Sequence, residues 1–267
     1  MPSSWLFVNM AARTSRVKKW FVLLLLLAAI AAAVAVAFWY VREEQIEEAR
    51  FVRYPAFGID IPVNYRIHGI DVSKYQSYIY WPAVKAMRVD SVRLGFVFIK
   101  ATEGTDRTDP QFKRNWKLAE RAGMVKGAYH FFYPSRNGVK QAQQFVKQVA
   151  LRPGDLPPVV DIEQLYGVPP ARARAELKAC LQALEAYYKV KPVIYSYANF
   201  YMQYLGKEFE DYPLWIAHYL AKERPRINRS WNFWQHNETG RVNGITHKVD
   251  FNVFNGDSAA FRSLLLP

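Results

Sequence analysis

Residues 20–41, WFVLLLLLAAIAAAVAVAFWYV, run for 22 positions without a charged side chain. A helix that is apolar all round needs a core or a bilayer around it. A hydrocarbon layer about 30 Å thick is crossed by about 20 such residues. The run therefore divides the chain into a short tail (1–19), a transmembrane anchor (20–41) and everything after it. Arg13, Arg16, Lys18 and Lys19 precede it without an acid, whereas Arg42, Glu43, Glu44, Glu47, Glu48 and Arg50 follow it. The excess of cations on the N-terminal side keeps the tail in the cytoplasm and sends the remainder across. Trp20 at one end and Phe38, Trp39 and Tyr40 at the other have the character of interfacial anchors. The expectation is a single-pass protein of the cell inner membrane with an exported domain. The alternative is a secreted protein whose signal peptide is cut at Ala35-Val36-Ala37. The length of the run and the aromatics behind it favour the anchor.

The exported part has ample material for a core, since 51% of the 267 residues are hydrophobic and 16% aromatic. Cys180 is the lone cysteine, so no internal disulfide forms; it reads as a small buried helix residue. His68, His130, His218, His236 and His247 show no HxxxH or HExxH spacing, so neither a metal nor another cofactor is expected. The net charge is +13, of which the tail cations supply four, leaving +9 beyond it. On the exported side that charge suits an anionic wall polymer or lipid head groups and gives no reason to expect nucleic acid. Plain solubility is the simpler explanation.

Residues 42–66 read as a stalk, with an acidic start, two prolines and no helical period. From residue 67 to 267 short apolar strands alternate with helices. Strands are expected at 68–73, 91–102, 125–134, 157–164, 192–198, 213–220, 231–237 and 248–256. Helices are expected at 81–87, 110–124, 139–149, 171–190 and 258–266. Eight strands in alternation predict an α/β fold, an irregular TIM-like (β/α) barrel with a mainly parallel sheet. The last third has little helix between strands and is expected to be irregular. No GxGxxG turn follows any strand, which weakens a dinucleotide-binding sheet.

The acids fall at strand ends. Asp71 is on the first strand, Asp161 and Glu163 on the fourth, Asp250 on the eighth. Side chains alternate along a strand, so Asp161 and Glu163 share one side, roughly 6–7 Å apart, with Ile162 on the other. Closure sets the first and eighth strands side by side, and the catalytic end of such a barrel is the C-terminal one. Four carboxyls thus converge. A divalent metal site, a structural set paired with Arg and Lys, and acid-assisted glycoside cleavage are the three readings. Cleavage of a glycosidic bond needs one carboxyl held protonated and a second group to stabilise the developing positive charge. Crowding acids raises the pKa of at least one of them. A mouth rich in acids and aromatics and poor in His suits that chemistry best.

The segments GIDVSKYQ (69–76), FIKATEG (98–104), GAYHF (127–131), DIE (161–163), VIYSY (193–197), LWIAHY (214–219), WQH (234–236) and VDFN (249–252) resemble, in order, the lysozymes of glycoside hydrolase family 25. The likeness covers residues 68–256. It implies a muramidase that cuts the β-1,4 bond between N-acetylmuramic acid and N-acetylglucosamine in a peptidoglycan glycan strand. On the family's pattern Glu163 is the proton donor and Asp161 the second catalytic carboxylate, while Asp71 and Asp250 complete the acidic mouth. Lys100, Tyr129, Tyr195, Trp215 and Gln235 match positions that line the substrate groove. GID also occurs at 58–60, but only the later copy continues as DVSxxQ, so Asp60 is assigned to the stalk. A glycan-binding scaffold on a retired hydrolase barrel is the alternative. Protein partners cannot be read from the chain.

Overall fold

The computed structural model describes residues 20–37, 50–219, 221 and 223–267. The cationic tail, the aromatic cluster Phe38, Trp39 and Tyr40, and the acidic residues 42–49 lie outside the described residues. The chain separates into two units, one containing the N-terminal apolar helix and the other running Ala49–Pro267. The helix, Trp20–Ala37, has a mean hydropathy of 2.8 and every side chain exposed. By length and composition it is able to cross a membrane, and a signal sequence has the same properties. It is evidence of export by either route.

In the second unit eight strands close into a barrel. They are β1 (Ile67–Val72), β2 (Val92–Glu103), β3 (Val125–Phe131), β4 (Val159–Asp161), β5 (Val193–Tyr197), β6 (Leu214–Ala217), β7 (Phe233–Val242) and β8 (Ile245–Phe254). Neighbours from β1 to β7 pair in parallel, as the strand–helix alternation predicts. The last strand differs. β8 runs antiparallel to both β7 and β1 and closes the barrel between them. A two-residue turn, Asn243-Gly244, joins β7 to β8, with Gly244 at φ +88°. A Cβ there would stand 2.5 Å from the Tyr80 carbonyl oxygen, so the turn needs glycine.

Period-two alternation sorts side chains into two layers. Phe96, Phe98, Val159, Val193, Trp215 and Phe233 fill the barrel interior, whose floor is closed by Phe261 of the last helix. Val97, Ile99, Val160, Ile162, Ile194 and Ile216 face outward to the helical layer. Two glycines make the interior possible. A Cβ at Gly69 would fall 2.5 Å from the Phe96 ring, and one at Gly127 would fall 2.7 Å from Phe98. The rings occupy the space that side chains at those positions would take.

The outer layer is α1 (Trp81–Ala86), α2 (Phe112–Arg121), α3 (Gly138–Gln148) and α4 (Pro170–Tyr188), with α5 (Ser258–Leu264) at the floor. Asn137 caps α3 by accepting from Lys140 N, and Asp257 caps α5 by accepting from Ala260 N. Each such cap is worth about 1 kcal/mol. Cys180 is fully buried on α4.

Residues 50–66 are not a stalk. Strands Phe51–Tyr54 and Ile59–Pro62 pair as an antiparallel hairpin, and Tyr54, Phe57, Ile59 and Ile61 are buried in the outer layer. The Phe57 ring lies 5.4 Å from that of Phe251 on β8, and Phe51 lies 5.8 Å from Trp234 on β7. The Arg241 backbone N–H donates to the Phe57 carbonyl. Asp60 is exposed on this hairpin and pairs with Arg53 at 3.5 Å. A ribbon of two four-residue strands, buried on one side only, is too short to give a readable period.

Candidate active site

The parallel strands deliver their C-terminal ends to one rim, and side chains of the inner face point into it. There the structure brings together all nine residues expected from the sequence. Asp71, Lys100, Tyr129, Asp161, Glu163, Tyr195, Trp215, Gln235 and Asp250 line one open cavity of ≈ 250 Å³. Asp250 arrives by an unexpected route. Because β8 is antiparallel, it reaches the rim in mid-strand, in register with Asp71.

Asp161 is the last residue of β4, a strand of only three residues, and Glu163 lies beyond its end. The extended alternation nevertheless continues. The Ile162 N–H donates to the Tyr195 carbonyl and the Ser196 hydroxyl donates to the Ile162 carbonyl. Ile162 is therefore held in the outer layer, while Asp161 and Glu163 face the cavity.

Two amides aim at Asp71. Gln235 Nε2 donates to its Oδ2 at 2.8 Å and Asn252 Nδ2 at 2.7 Å. Each amide is itself fixed. Tyr195 and Tyr219 both donate to Gln235 Oε1 at 2.7 Å, and Trp215 Nε1 donates to Asn252 Oδ1 at 2.7 Å. Their carbonyls being occupied, the NH2 groups must point to Asp71, where they favour the anion. Asp71 also shares a hydrogen bond with Asp250. Burial raises both carboxyls, and the Asp71 charge raises Asp250 further. Two like charges this close cannot both ionise at neutral pH. The proton stays on Asp250, which donates it toward Asp71.

The other pair is set by burial. Glu163 is half-buried, and burial raises its carboxyl to about 7 against the attraction of Lys100, with the Asp71 charge adding to the rise. Burial and then the Glu163 charge push Asp161 well above the usual carboxylate range. Asp161 Oδ1 is buried without a hydrogen-bond partner. Lys100 is the cation of the cavity lining. Its Nζ is 2.8 Å from Glu103 Oε2 and 4.6 Å from the Phe131 ring centroid, which ties it to the wall.

Sequence reasoning missed Asn252, Tyr219, Tyr197, Glu238 and the tether Glu103. Asn252 carried a signal. It stands two residues after Asp250, on the same face of the strand, by the alternation that links Asp161 to Glu163. Tyr195, Trp215 and Gln235, expected in the groove lining, are nearly buried and spend their polar atoms on the network around Asp71. Among the described residues no set of three or more His, Cys, Asp or Glu side chains is arranged to hold a metal ion. The arrangement can hold carboxyls in different protonation states within one cavity near neutral pH.

Known proteins share this architecture. The lysozyme of Streptomyces coelicolor superposes with a TM-score of 0.67 at 34% identity, over 74% of this chain and 96% of that one. Lysozyme M1 of Streptomyces globisporus is 35% identical over 217 residues, 74% of this chain and 71% of that protein. The uncharacterized protein YegX of Escherichia coli O6:H1 is 42% identical over 253 residues, 91% of this chain and 92% of its own length. Residues 70–245 match the family described as Glycosyl hydrolases family 25. With the barrel and its acidic mouth in place, the chain belongs to that family of lysozyme-type glycoside hydrolases.

Proposed function

We propose that this protein is a peptidoglycan muramidase that hydrolyses the β-1,4 bond between N-acetylmuramic acid and N-acetylglucosamine, with Glu163 as general acid. The observation that carries the reading is the Glu163 carboxyl, held at about 7 in a cavity that contains a second raised carboxyl. Near neutral pH a large share of molecules keep the Glu163 proton. It passes to the glycosidic oxygen as the C1–O bond breaks; water then adds its oxygen to C1 and returns a proton to the Glu163 carboxylate. A positioned acid of this kind is worth about 10²–10⁴ in rate.

Asp161 has the complementary task. Its Oδ1 is a buried acceptor without a donor, a condition that calls for an explanation. The N–H of the substrate's 2-acetamido group supplies the missing donor, and this orients the acetamide oxygen toward C1 as positive charge develops there. Asp71, held by Gln235 and Asn252 and bonded to Asp250, keeps negative charge under the sugar ring. Lys100 and Tyr129 face the glycan. The N-terminal helix tethers the enzyme to the inner membrane with residues 1–19 in the cytoplasm, which suits remodelling of the cell's own wall. Carbonate extraction of membranes tests the tether, which fails if the protein is recovered in soluble form with a new N-terminus near residue 38.

The deciding experiment incubates purified peptidoglycan with residues 42–267, wild type beside Glu163→Gln, and analyses products by mass spectrometry. New reducing muramic-acid ends with wild type alone support the reading. Binding to the wall without cleavage by either protein would make the barrel a glycan-binding scaffold.

A further inference from the structure

The cavity is smaller than the ≈ 300–1,000 Å³ of ordinary ligand pockets, so a glycan polymer must rest partly on the rim outside it. One stretch of that rim is built at a conformational cost. Tyr166, three residues after Glu163, has φ +50°, and Gly167 follows at φ +77°. The Val168 N–H donates to the Leu165 carbonyl at 2.9 Å, closing the turn. Two successive positive φ values belong to turns in which Gly, Asn and Asp dominate. A bulky residue there is an outlier, and such strain is kept at functional sites.

The strained turn presents an aromatic ring. Tyr166 is 47% exposed and leans on Tyr133 with ring centroids 5.2 Å apart. Tyr133 is fixed in turn, donating its hydroxyl to Glu103 at 2.9 Å and meeting Phe131 edge-on at 5.5 Å. Phe131 lines the cavity. A row of three rings thus leads from the cavity wall to solvent, ending three residues along the chain from the proton donor. The charge of Glu163 is felt at the Tyr166 hydroxyl, second only to the effect of burial there.

We propose that Tyr166, backed by Tyr133, is a sugar-stacking platform for the pyranose on the leaving-group side of the scissile bond. The inference rests on the muramidase reading. A general acid stands next to the leaving oxygen, so the sugar that departs with the Glu163 proton lies over the Glu163 side of the rim. The apolar C–H face of that ring rests on the exposed Tyr166 face. The left-handed Tyr166 backbone holds that ring against Tyr133 with its other face exposed to solvent.

The test uses the full chain with Glu163→Gln, which prevents turnover, and measures binding of a muramic acid–glucosamine tetrasaccharide by calorimetry. Adding Tyr166→Asn should weaken binding by about tenfold, as loss of one well-packed aromatic anchor does. Asn tolerates the left-handed backbone, so the melting temperature of that variant should hold or rise. Tyr166→Phe, which keeps the ring, should bind within about twofold of the parent. In the active chain Tyr166→Asn should raise KM more than it lowers kcat. Unchanged affinity with Tyr166→Asn overturns the platform. No binding by the Glu163→Gln parent itself overturns the muramidase reading and takes the platform with it.

Discussion

Asp71 and Asp250 lie opposite one another in register across the antiparallel seam between β1 and β8, and their carboxyls share a hydrogen bond. A parallel eighth strand would still be a neighbour of β1 but would have its own C-terminal end at the rim. The reversal places Asp250, five residues into the strand, beside the acid that two amides hold as an anion. The pair therefore carries one proton between them across the neutral range.

Asp250→Asn tests that sharing. The Asp250 carboxyl is raised from 3.8 to about 9, by burial first and then by Asp71. The folded state thus holds a proton that the unfolded chain releases above pH 3.8. A raised carboxyl costs stability as pH climbs through that window and costs nothing below it. Asn keeps a donor toward Asp71 and removes the titration. Thermal melts should show the variant more stable at pH 8–9, by at least about 2 °C, the effect of 1 kcal/mol in a domain of this size. The difference should vanish near pH 4. An equal gain at both pH values would refute the shared proton.

Activity should fall on the alkaline side of about pH 7, where Glu163 loses its proton. For a required acid, kcat/KM drops about tenfold per pH unit beyond its pKa. Lys100 draws the Glu163 pKa down, so Lys100→Met should move the alkaline limb to higher pH. A pH–rate profile of both proteins on dye-labelled peptidoglycan is the check. A limb that stays in place would mean that another group sets it.

Gly69→Ala should destabilise the barrel, because its Cβ would sit 2.5 Å from the Phe96 ring. Overpacking of this kind costs about 1–3 kcal/mol. Phe96→Leu in the same chain should recover part of the loss, since the two changes share one space. Urea denaturation of the four-protein cycle measures it, and strict additivity would show that the contact is not the cause.

The N-terminal hairpin should matter to stability and not to chemistry. Phe57 is fully buried against β8. Phe57→Ala should cost about 3–5 kcal/mol, while kcat/KM measured well below the melting temperature stays as in wild type. A variant as stable as wild type would return residues 50–66 to the role of a linker.

Local chemistry alone determined a good deal here. Charge-free length marked the apolar helix, and period-two alternation marked the strands and the shared face of Asp161 and Glu163. Both are properties of neighbouring residues, so a single chain displays them. The direction of β8 was half-legible, because Asn243-Gly244 between two apolar runs is a strong hairpin signal that the strand–helix alternation overrode. The hairpin at 51–62 gave no period, since only its packing on β7 and β8 makes its few apolar residues a core. The network around Asp71 was beyond local reading. Gln235 and Asn252 lie 164 and 181 positions from the carboxylate they address. Only barrel closure brings them together, and burial joined by the Asp71 charge lifts Glu163 and Asp250 out of the ordinary carboxylate range. Sequence supplied the acids; their protonation was decided by desolvation and mutual distance, which exist only in the folded chain.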